Sequence, residues 1–282
     1  MTSICAVIVL FNPDREFSKS LQIFSAQVEK VFIIDNSEFG NPEQYGYADA
    51  ASVNTELVRM GENAGIARAL NEGMKRAIDD GYDFCLLMDQ DSVLAPNAVN
   101  LLARILNEDP AVFIAAPVVR DINGLTGAGV AGPCTERLTC ITSGSLVNLK
   151  HVHRVGYHRE DLFIDLVDHE YCLRARSMGL RVVVVNDAIL NHRLGKMEKR
   201  SFLGMDFYPT HHSPERRYYK ARNSIFLWKK YIIRYPRYVL PAMLRLLKGY
   251  LEILLFEQDR HKKFRMILKG FAHGITGRYG KL

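Results

Sequence analysis

Apolar residues in the first half of the chain come in short unbroken runs, separated by segments where apolar positions recur every three or four residues. Ser3–Phe11 (SICAVIVLF) and Lys30–Asp35 (KVFIID) are rich in β-branched residues and lack polar alternation, the pattern of strands buried on both faces. Between them Leu21, Phe24 and Val28 fall at helical spacing. Ser52–Met60 predicts a weaker third strand. The stretch from Asn63 to Asp80 places Ile66, Leu70, Met74, Ala77 and Ile78 on one face and predicts a helix with Asn63 near its cap. Tyr82–Met88 (YDFCLLM) reads as a strand stopped by Asp89-Gln90-Asp91, Pro96 as the opening of a helix burying Val99, Leu102, Ile105 and Leu106, and Ala111–Val119 as another strand.

After residue 120 the rhythm loosens. Four glycines between Gly124 and Gly132 mark a mobile-loop candidate. Leu138–Leu149 predicts a strand interrupted at Ser143-Gly144, the stretch from Asp165 to Met178 an amphipathic helix, and Arg181–Val185 a last buried strand ending near His192. Residues 194–217 read as a loop. On a helical wheel the stretch from Val239 to Lys263 gathers Arg245, Lys248, Glu252, Asp259 and Lys263 on one side and apolar residues elsewhere. It could pack on the preceding domain, pair with another subunit, or lie in a membrane interface; it has too few uncharged apolar residues in a row to span a bilayer.

This alternation predicts an α/β fold, a mostly parallel sheet with helices on both faces, followed by a C-terminal helical appendage. In such sheets ligands bind beyond the carboxyl ends of the strands. Three polar clusters close the apolar runs there: Asn12 and Asp14, Asp35-Asn36-Ser37, and Asp89-Gln90-Asp91.

Composition narrows the class. With 282 residues, 48% hydrophobic and 24% charged, the chain fits one large α/β domain plus an appendage and excludes disorder. Five cysteines without a CxxC pair argue against a disulfide framework or a zinc ribbon. The N-terminus lacks a basic, cleavable leader, so a cytosolic location is expected. The formal net charge of +6 is unevenly distributed. Residues 1–214 carry 20 Lys and Arg against 27 Asp and Glu, and residues 215–282 carry 17 against 4. A basic tail on an acidic body points to an anionic partner. Its cations interleave with Leu, Ile, Phe and Met and match no nucleic-acid-binding signature, which favours an anionic membrane surface.

Asp89 and Asp91, at i and i+2 of an extended chain, project to one side, and such a like-charged pair is eased by a divalent cation bridged to a pyrophosphate. Hard oxygen ligands suit Mg²⁺ or Mn²⁺. The plain alternative is a solvated turn. A chemical rival also exists, because Asp89-Gln90-Asp91-Ser92-Val93 fits the DxDxV nucleophile loop of haloacid-dehalogenase-type phosphatases. A non-catalytic, membrane-attached binder of sugar nucleotides is a third reading.

Taken together, CAVIVLFNPD, FIIDNS, ENAGIARALNEG, MDQDS, TSGSLVN and LFIDLVDHEYCLRAR resemble the family 2 glycosyltransferases, and within them the bacterial rhamnosyltransferases; RRYYKARNSIFLWKKY and GITGRYGK add to the likeness. The resemblance implies a GT-A fold over residues 1–217, with a nucleotide-sugar half (1–120) and an acceptor half (121–217), and a basic helical region over 218–282. It implies metal-dependent, inverting transfer from a dTDP-sugar to a saccharide or lipid-linked acceptor, in polysaccharide synthesis such as that of O-antigen.

Residue by residue, the resemblance assigns Phe11, Asn12, Asp35, Asn36 and Ser37 to the base and ribose pocket, with Asn63, Gly65, Arg68 and Asn71 under the nucleotide. Asp89 would meet the ribose or the metal, and Asp91 and His192 would ligate Mn²⁺ or Mg²⁺. Asp168 is the expected base and Asp165 its reserve, on the same face if the helix begins there. The Glu that usually precedes the base is Val167 here. Ser143, Gly144, Glu170 and Arg174 fall to the acceptor side. The resemblance also implies attachment to the cytoplasmic face of a membrane, and the C-terminal helices leave a homodimer open. The plain alternatives are a surface acid for Asp168, a core-edge histidine for His192, and core packing for Tyr218, Tyr219, Trp228 and for Cys5, Cys85 and Cys172.

Overall fold

Strands buried on both faces need a helix layer on each side, and the computed structural model, which describes residues 2–13, 21–23, 25–38, 55–121, 132–192, 200–202 and 205–282, has that arrangement. β1 (Ile4–Leu10), β2 (Lys30–Asp35) and β4 (Phe84–Asp89) are each buried at all but one position, whereas β3 (Thr55–Arg59) is half-exposed at the sheet edge. Alternate residues of β1 serve opposite faces. Ala6, Ile8 and Leu10 pack in one core with Val99, Leu102 and Leu106 of α2 (Ala98–Glu108). Cys5, Val7 and Val9 pack in the other with Leu70, Met74 and Ala77 of α1 (Ile66–Asp79) and with Tyr171, Cys172 and Ala175 of α3 (Val167–Ser177). Each such aliphatic side chain contributes about 1.5–3 kcal/mol by leaving water. Gly73 lets α1 sit against β1, since a Cβ there would collide with Val7.

The sheet order is β3-β2-β1-β4-β8-β6-β9-β5, where β5 is Ser92–Leu94, β6 Val112–Asp121, β8 Ser145–Asn148 and β9 Arg181–His192; β7 (Cys134–Glu136) pairs with β9 beside this path. β3, β2, β1 and β4 are all parallel, so their carboxyl ends finish on one edge. Beyond β4 the sheet is mixed. β8 starts opposite Leu87, near the carboxyl end of β4, and therefore runs back antiparallel. The strand expected over Leu138–Leu149 is thus shorter than its apolar run, because the preceding residues form a turn in which Gly144 (φ 78) donates to the Leu87 carbonyl at 2.8 Å. The glycine-rich stretch lies almost wholly outside the described residues, as do Asp14 and Phe24; Leu21–Ile23 and Ser25 are helical.

By its packing the chain divides into two units, residues 1–160 with 167–193, and residues 161–166 with 194–282. The second unit therefore starts before the 217/218 boundary read from the sequence. Part of the stretch expected as a loop is a hairpin, β10 (Arg200–Phe202) and β11 (Met205–Phe207). α4 (Pro214–Tyr231) opens with Pro214 in its first turn and with Ser213 Oγ accepting the Arg216 amide at 3.2 Å. The amphipathic segment expected over Val239–Lys263 is two helices, α5 (Pro236–Phe256) and α6 (Arg260–Thr276). The break comes at Glu257, which turns inward to accept from Arg217 at 2.6 Å and from Lys263 at 3.0 Å, and Asp259 is left-handed at φ 53. Burial alone would push the Glu257 carboxyl up, but the Lys263 and Arg217 cations outweigh it and its pKa falls. α6 lies directly on α4, where a Cβ at Gly270 would stand 2.5 Å from the Tyr218 carbonyl oxygen.

Two adjacent α4 residues satisfy the irregular segment 161–166. Arg222, fully buried, donates to the carbonyls of Asp161 (3.1 Å), Leu162 (2.8 Å) and Gly280 (2.6 Å), between the rings of Tyr218, Tyr219 and Tyr279. Asn223, also fully buried, donates to the carbonyls of Leu162, Ile164 and Asp165 at 2.8–3.0 Å. Phe163, Asp165 and Leu166 all have φ between 62 and 65, which non-glycine residues hold only when their surroundings impose it. Replacing Asn223 with Ala strips the Ile164 and Asp165 carbonyls of this donor and leaves Leu162 with Arg222 alone, and is expected to cost roughly 2–4 kcal/mol, read as a lower urea midpoint of the full chain.

Candidate active site

At the carboxyl edge the chain leaves β1, β2 and β4 with peptide groups that no neighbouring strand can pair, and polar side chains take them up. Asn12 is left-handed (φ 45), and its amide donates to Ser37 Oγ at 2.8 Å. Asp35 Oδ1 accepts the Ser37 amide at 3.0 Å. Asn36 accepts the Ala64 amide at 2.8 Å and donates to Asn63 Oδ1, which in turn accepts the Gly65 amide at 3.1 Å. Gly65 (φ 85) is the residue before α1, so the cap expected at Asn63 falls two positions later and carries no side-chain cap bond. Phe11, Asn12, Asp35, Asn36, Ser37, Asn63 and Gly65 are thus gathered at one edge. Phe11 is 46% exposed, while Asp35, Asn36 and Ser37 are buried. Arg68 is exposed on α1, 3.4 Å from Glu62.

The acidic turn stands beside them. Asp89 is half-buried and Asp91 exposed. The Asp89 amide donates to Ser143 Oγ at 3.2 Å, and Gln90 reaches across to the backbone of Phe11. β5 follows at once, and its register sets Ser92 opposite His192. The backbone of His192 is thereby brought alongside the residue after Asp91; its side chain lies outside the described residues. Two carboxylates at a strand end with a histidine at the adjacent register position are hard and borderline ligands suited to a divalent cation. Among the described side chains no group of three His, Cys, Asp or Glu converges. Ser143 and Gly144, expected at the acceptor, are buried: Ser143 supports the acidic turn and Gly144 packs under Pro117 and Leu190.

Asp168 lies in the first turn of α3 and borders a small cleft with Thr142, Ser145, His158, Tyr171 and Cys172. It is half-exposed, and its Oδ1 accepts the His169 amide at 2.8 Å. No cation pairs with it among the described residues. Asp165, by contrast, precedes the helix, is left-handed, and is bound by Arg216 at 3.2–3.3 Å, so the shared helical face expected for the two acids does not form.

Three further residues take internal roles. Glu170 has no exposed surface and holds Arg174 at 3.0 Å, while Arg174 donates to the carbonyls of Val155 and Tyr157 at 2.7 Å each. A carboxylate so enclosed does not reach an acceptor; the pair ties α3 to the segment before it. Asn71 is buried as well, exchanging both hydrogen bonds with the His158 backbone (2.8 and 2.9 Å) and donating to Glu160, so it braces the same segment rather than touching a nucleotide. The His158 ring stacks on Tyr171 with centroids 3.9 Å apart.

A parallel half-sheet whose carboxyl edge gathers the polar strand ends beside an acidic turn, continued by a mixed half with an acid at the start of α3, is the GT-A arrangement. Solved GT-A enzymes superpose on it. The mannosyltransferase PcManGT from Pyrobaculum calidifontis, in complex with GDP-Man and Mn²⁺, matches with TM-score 0.61 at 15% identity over 99% of this chain and 76% of its own. GalNAc-T7 with UDP, GalNAc and Mn²⁺ matches with TM-score 0.61 at 14% identity, and this chain spans 58% of its length. The family model "Glycosyl transferase family 2" matches residues 7–156, more than half the chain, and a dTDP-rhamnosyl transferase RfbF of Shigella flexneri is 31% identical over 81% of both chains. The chain belongs to glycosyl transferase family 2 and is a glycosyltransferase. The phosphatase reading of the acidic loop falls with that membership. The sequence reading missed Gln90, Arg222 and Asn223; Gln90 lies within the quoted acidic motif, and the other two within RRYYKARN, but each role needs a partner distant in sequence.

The His158 imidazole is held down to about 3, by burial first and by the Arg174 charge second. The unfolded chain, with a histidine near 6.5, then binds the extra proton between those values, so stability is full above pH 6.5 and falls as the pH drops toward 3. Between pH 7 and pH 5 the loss is expected to be about 2 kcal/mol. His158→Phe, which keeps the stack on Tyr171, should flatten that slope in thermal melts; an equally steep slope in the variant would show that other groups carry it.

Proposed function

We propose that this glycosyltransferase moves L-rhamnose from dTDP-L-rhamnose to a hydroxyl of a growing, lipid-linked cell-surface polysaccharide such as O-antigen, with inversion at the anomeric carbon. The observation carrying this reading is the 31% identity to a dTDP-rhamnosyl transferase over four-fifths of both chains. Phe11, Asn12, Asp35, Asn36, Ser37 and Asn63 receive the base and ribose, and Gly65 at the N-terminus of α1 admits a phosphate. Arg68, on the exposed face of α1, exchanges its exposed Glu62 partner for that phosphate. Asp89 and Asp91, with His192, hold Mn²⁺ or Mg²⁺, which when bound offsets the charge of the departing diphosphate. Asp168 takes the proton of the acceptor hydroxyl as that oxygen bonds to the anomeric carbon and the bond to the diphosphate breaks. Asp168 suits this role better than Asp165, because Arg216 already claims the Asp165 carboxylate.

The basic region seats the enzyme on an anionic bilayer at the cytoplasmic face. Leu240, Leu244, Leu247, Leu251 and Leu254 form one exposed stripe along α5, with Arg237, Arg245 and Lys248 also exposed on that helix. Among the described residues no helix is long and apolar enough to cross a membrane. A second copy carrying the same excess of 17 cations over 4 anions in residues 215–282 is electrostatically a poorer cover for that stripe than anionic lipid.

The donor is tested by a thermal-shift panel of nucleotide diphosphates and nucleotide sugars with and without Mn²⁺, where dTDP-L-rhamnose should raise the melting temperature most. A stronger shift with a UDP- or GDP-sugar would reject it. Asp91→Asn should lose at least 100-fold in metal-dependent transfer, and Asp168→Asn a similar factor with donor binding kept. Transfer surviving in Asp168→Asn but not in Asp165→Asn would reverse the base assignment. The full chain should co-sediment with anionic vesicles at low salt, and Leu244→Ser/Leu247→Ser should weaken this at least fivefold. Dimerisation without lipid, lost in the same variant, would instead assign the stripe to a second copy.

A further inference from the structure

The amide of Gln90 makes two hydrogen bonds to one residue. Its Oε1 accepts the Phe11 amide at 2.8 Å, and its Nε2 donates to the Phe11 carbonyl at 3.2 Å. β1 and β4 are parallel neighbours in register Val9↔Asp89, and both strands stop just beyond that pair. Phe11 then has an amide and a carbonyl with no strand opposite. The side-chain amide of Gln90 takes the place of the missing peptide and adds one rung to the ladder. Only a side chain carrying both a donor and an acceptor can do so: Glu lacks the donor and Leu lacks both. On the other side Asn12 is held by Ser37 Oγ. The Phe11–Asn12 backbone is therefore gripped from β4 and from β2 at once, with the Phe11 ring left 46% exposed.

We infer that Gln90, the middle residue of the acidic turn, is a positioning residue for nucleotide binding: its amide holds the Phe11 backbone so that the exposed ring forms a fixed stacking platform for the donor's base. This rests on the assignment of Phe11 to the nucleotide pocket. Gln90 acts through Phe11 and not through the cation, since its side-chain amide is spent on the backbone.

The test is calorimetric titration of the full-length protein with dTDP in the presence of Mn²⁺, and with Mn²⁺ alone. Gln90→Glu and Gln90→Leu should each weaken dTDP binding roughly 5- to 10-fold, the scale of one or two lost hydrogen bonds, and the uncharged Gln90→Leu should keep Mn²⁺ affinity within twofold of wild type. In transfer assays the donor KM should rise with kcat within twofold. Phe11→Ala should weaken dTDP binding at least as much, and adding Gln90→Leu to it should cost nothing further, because the two act as one unit. Wild-type dTDP affinity in the Gln90 variants, additive losses in the double variant, or a parallel loss of Mn²⁺ affinity in Gln90→Leu would each overturn the inference while leaving the pocket assignment standing. Undiminished dTDP binding by Phe11→Ala would bring down the pocket assignment and the inference together.

Discussion

Where a parallel strand ends, its last peptide groups lose their partners, and in water-poor surroundings each unpaired group costs as much as a broken hydrogen bond. This enzyme meets that constraint with side chains that imitate the backbone. Gln90 pairs with Phe11, Asn36 with Ala64, Asn63 with Gly65, Ser37 with Asn12, and Ser143 with Asp89. The residues that close the strands are thereby fixed to one another, and this edge of the sheet is held by hydrogen bonds instead of by apolar packing.

The same device recurs along the irregular chain ahead of α3. Asn71 and Arg174 satisfy Val155, Tyr157 and His158, and Arg222 and Asn223 satisfy carbonyls between Asp161 and Asp165. Buried carbonyls need donors, and Arg and Asn supply several from one side chain. Several polar residues that a family resemblance places on substrate prove to be spent on this support. Glu170, Asn71, Ser143 and Gly144 are buried and Arg174 is partly buried, and their contacts are with the chain itself.

The parallel half of the sheet was legible because its strands are uniform apolar runs with no competing period: the ends of β1, β2 and β4 fell where polar residues interrupt them. The break between α5 and α6 was not legible. Leu254, Leu255 and Phe256 continue the apolar pattern up to Glu257, and only the buried ion pairs of Glu257 with Arg217 and Lys263 turn the chain there. The start of α3 was misplaced for a similar reason, since Asp165 and Leu166 suit a helix until Asn223 draws in the Asp165 carbonyl.

Local sequence, then, determined the alternation of elements, the two-faced core of β1 and the placing of three polar clusters on one sheet edge, because period and composition act over a few residues. The fold alone decided which distant segment each polar side chain braces, and which side chains, such as Phe11, Asp91 and Asp168, keep exposed surface. That choice depends on donors and acceptors brought together from distant parts of the chain, as Gln90 is to Phe11 and Asn71 to His158. No pattern along a single segment carries it.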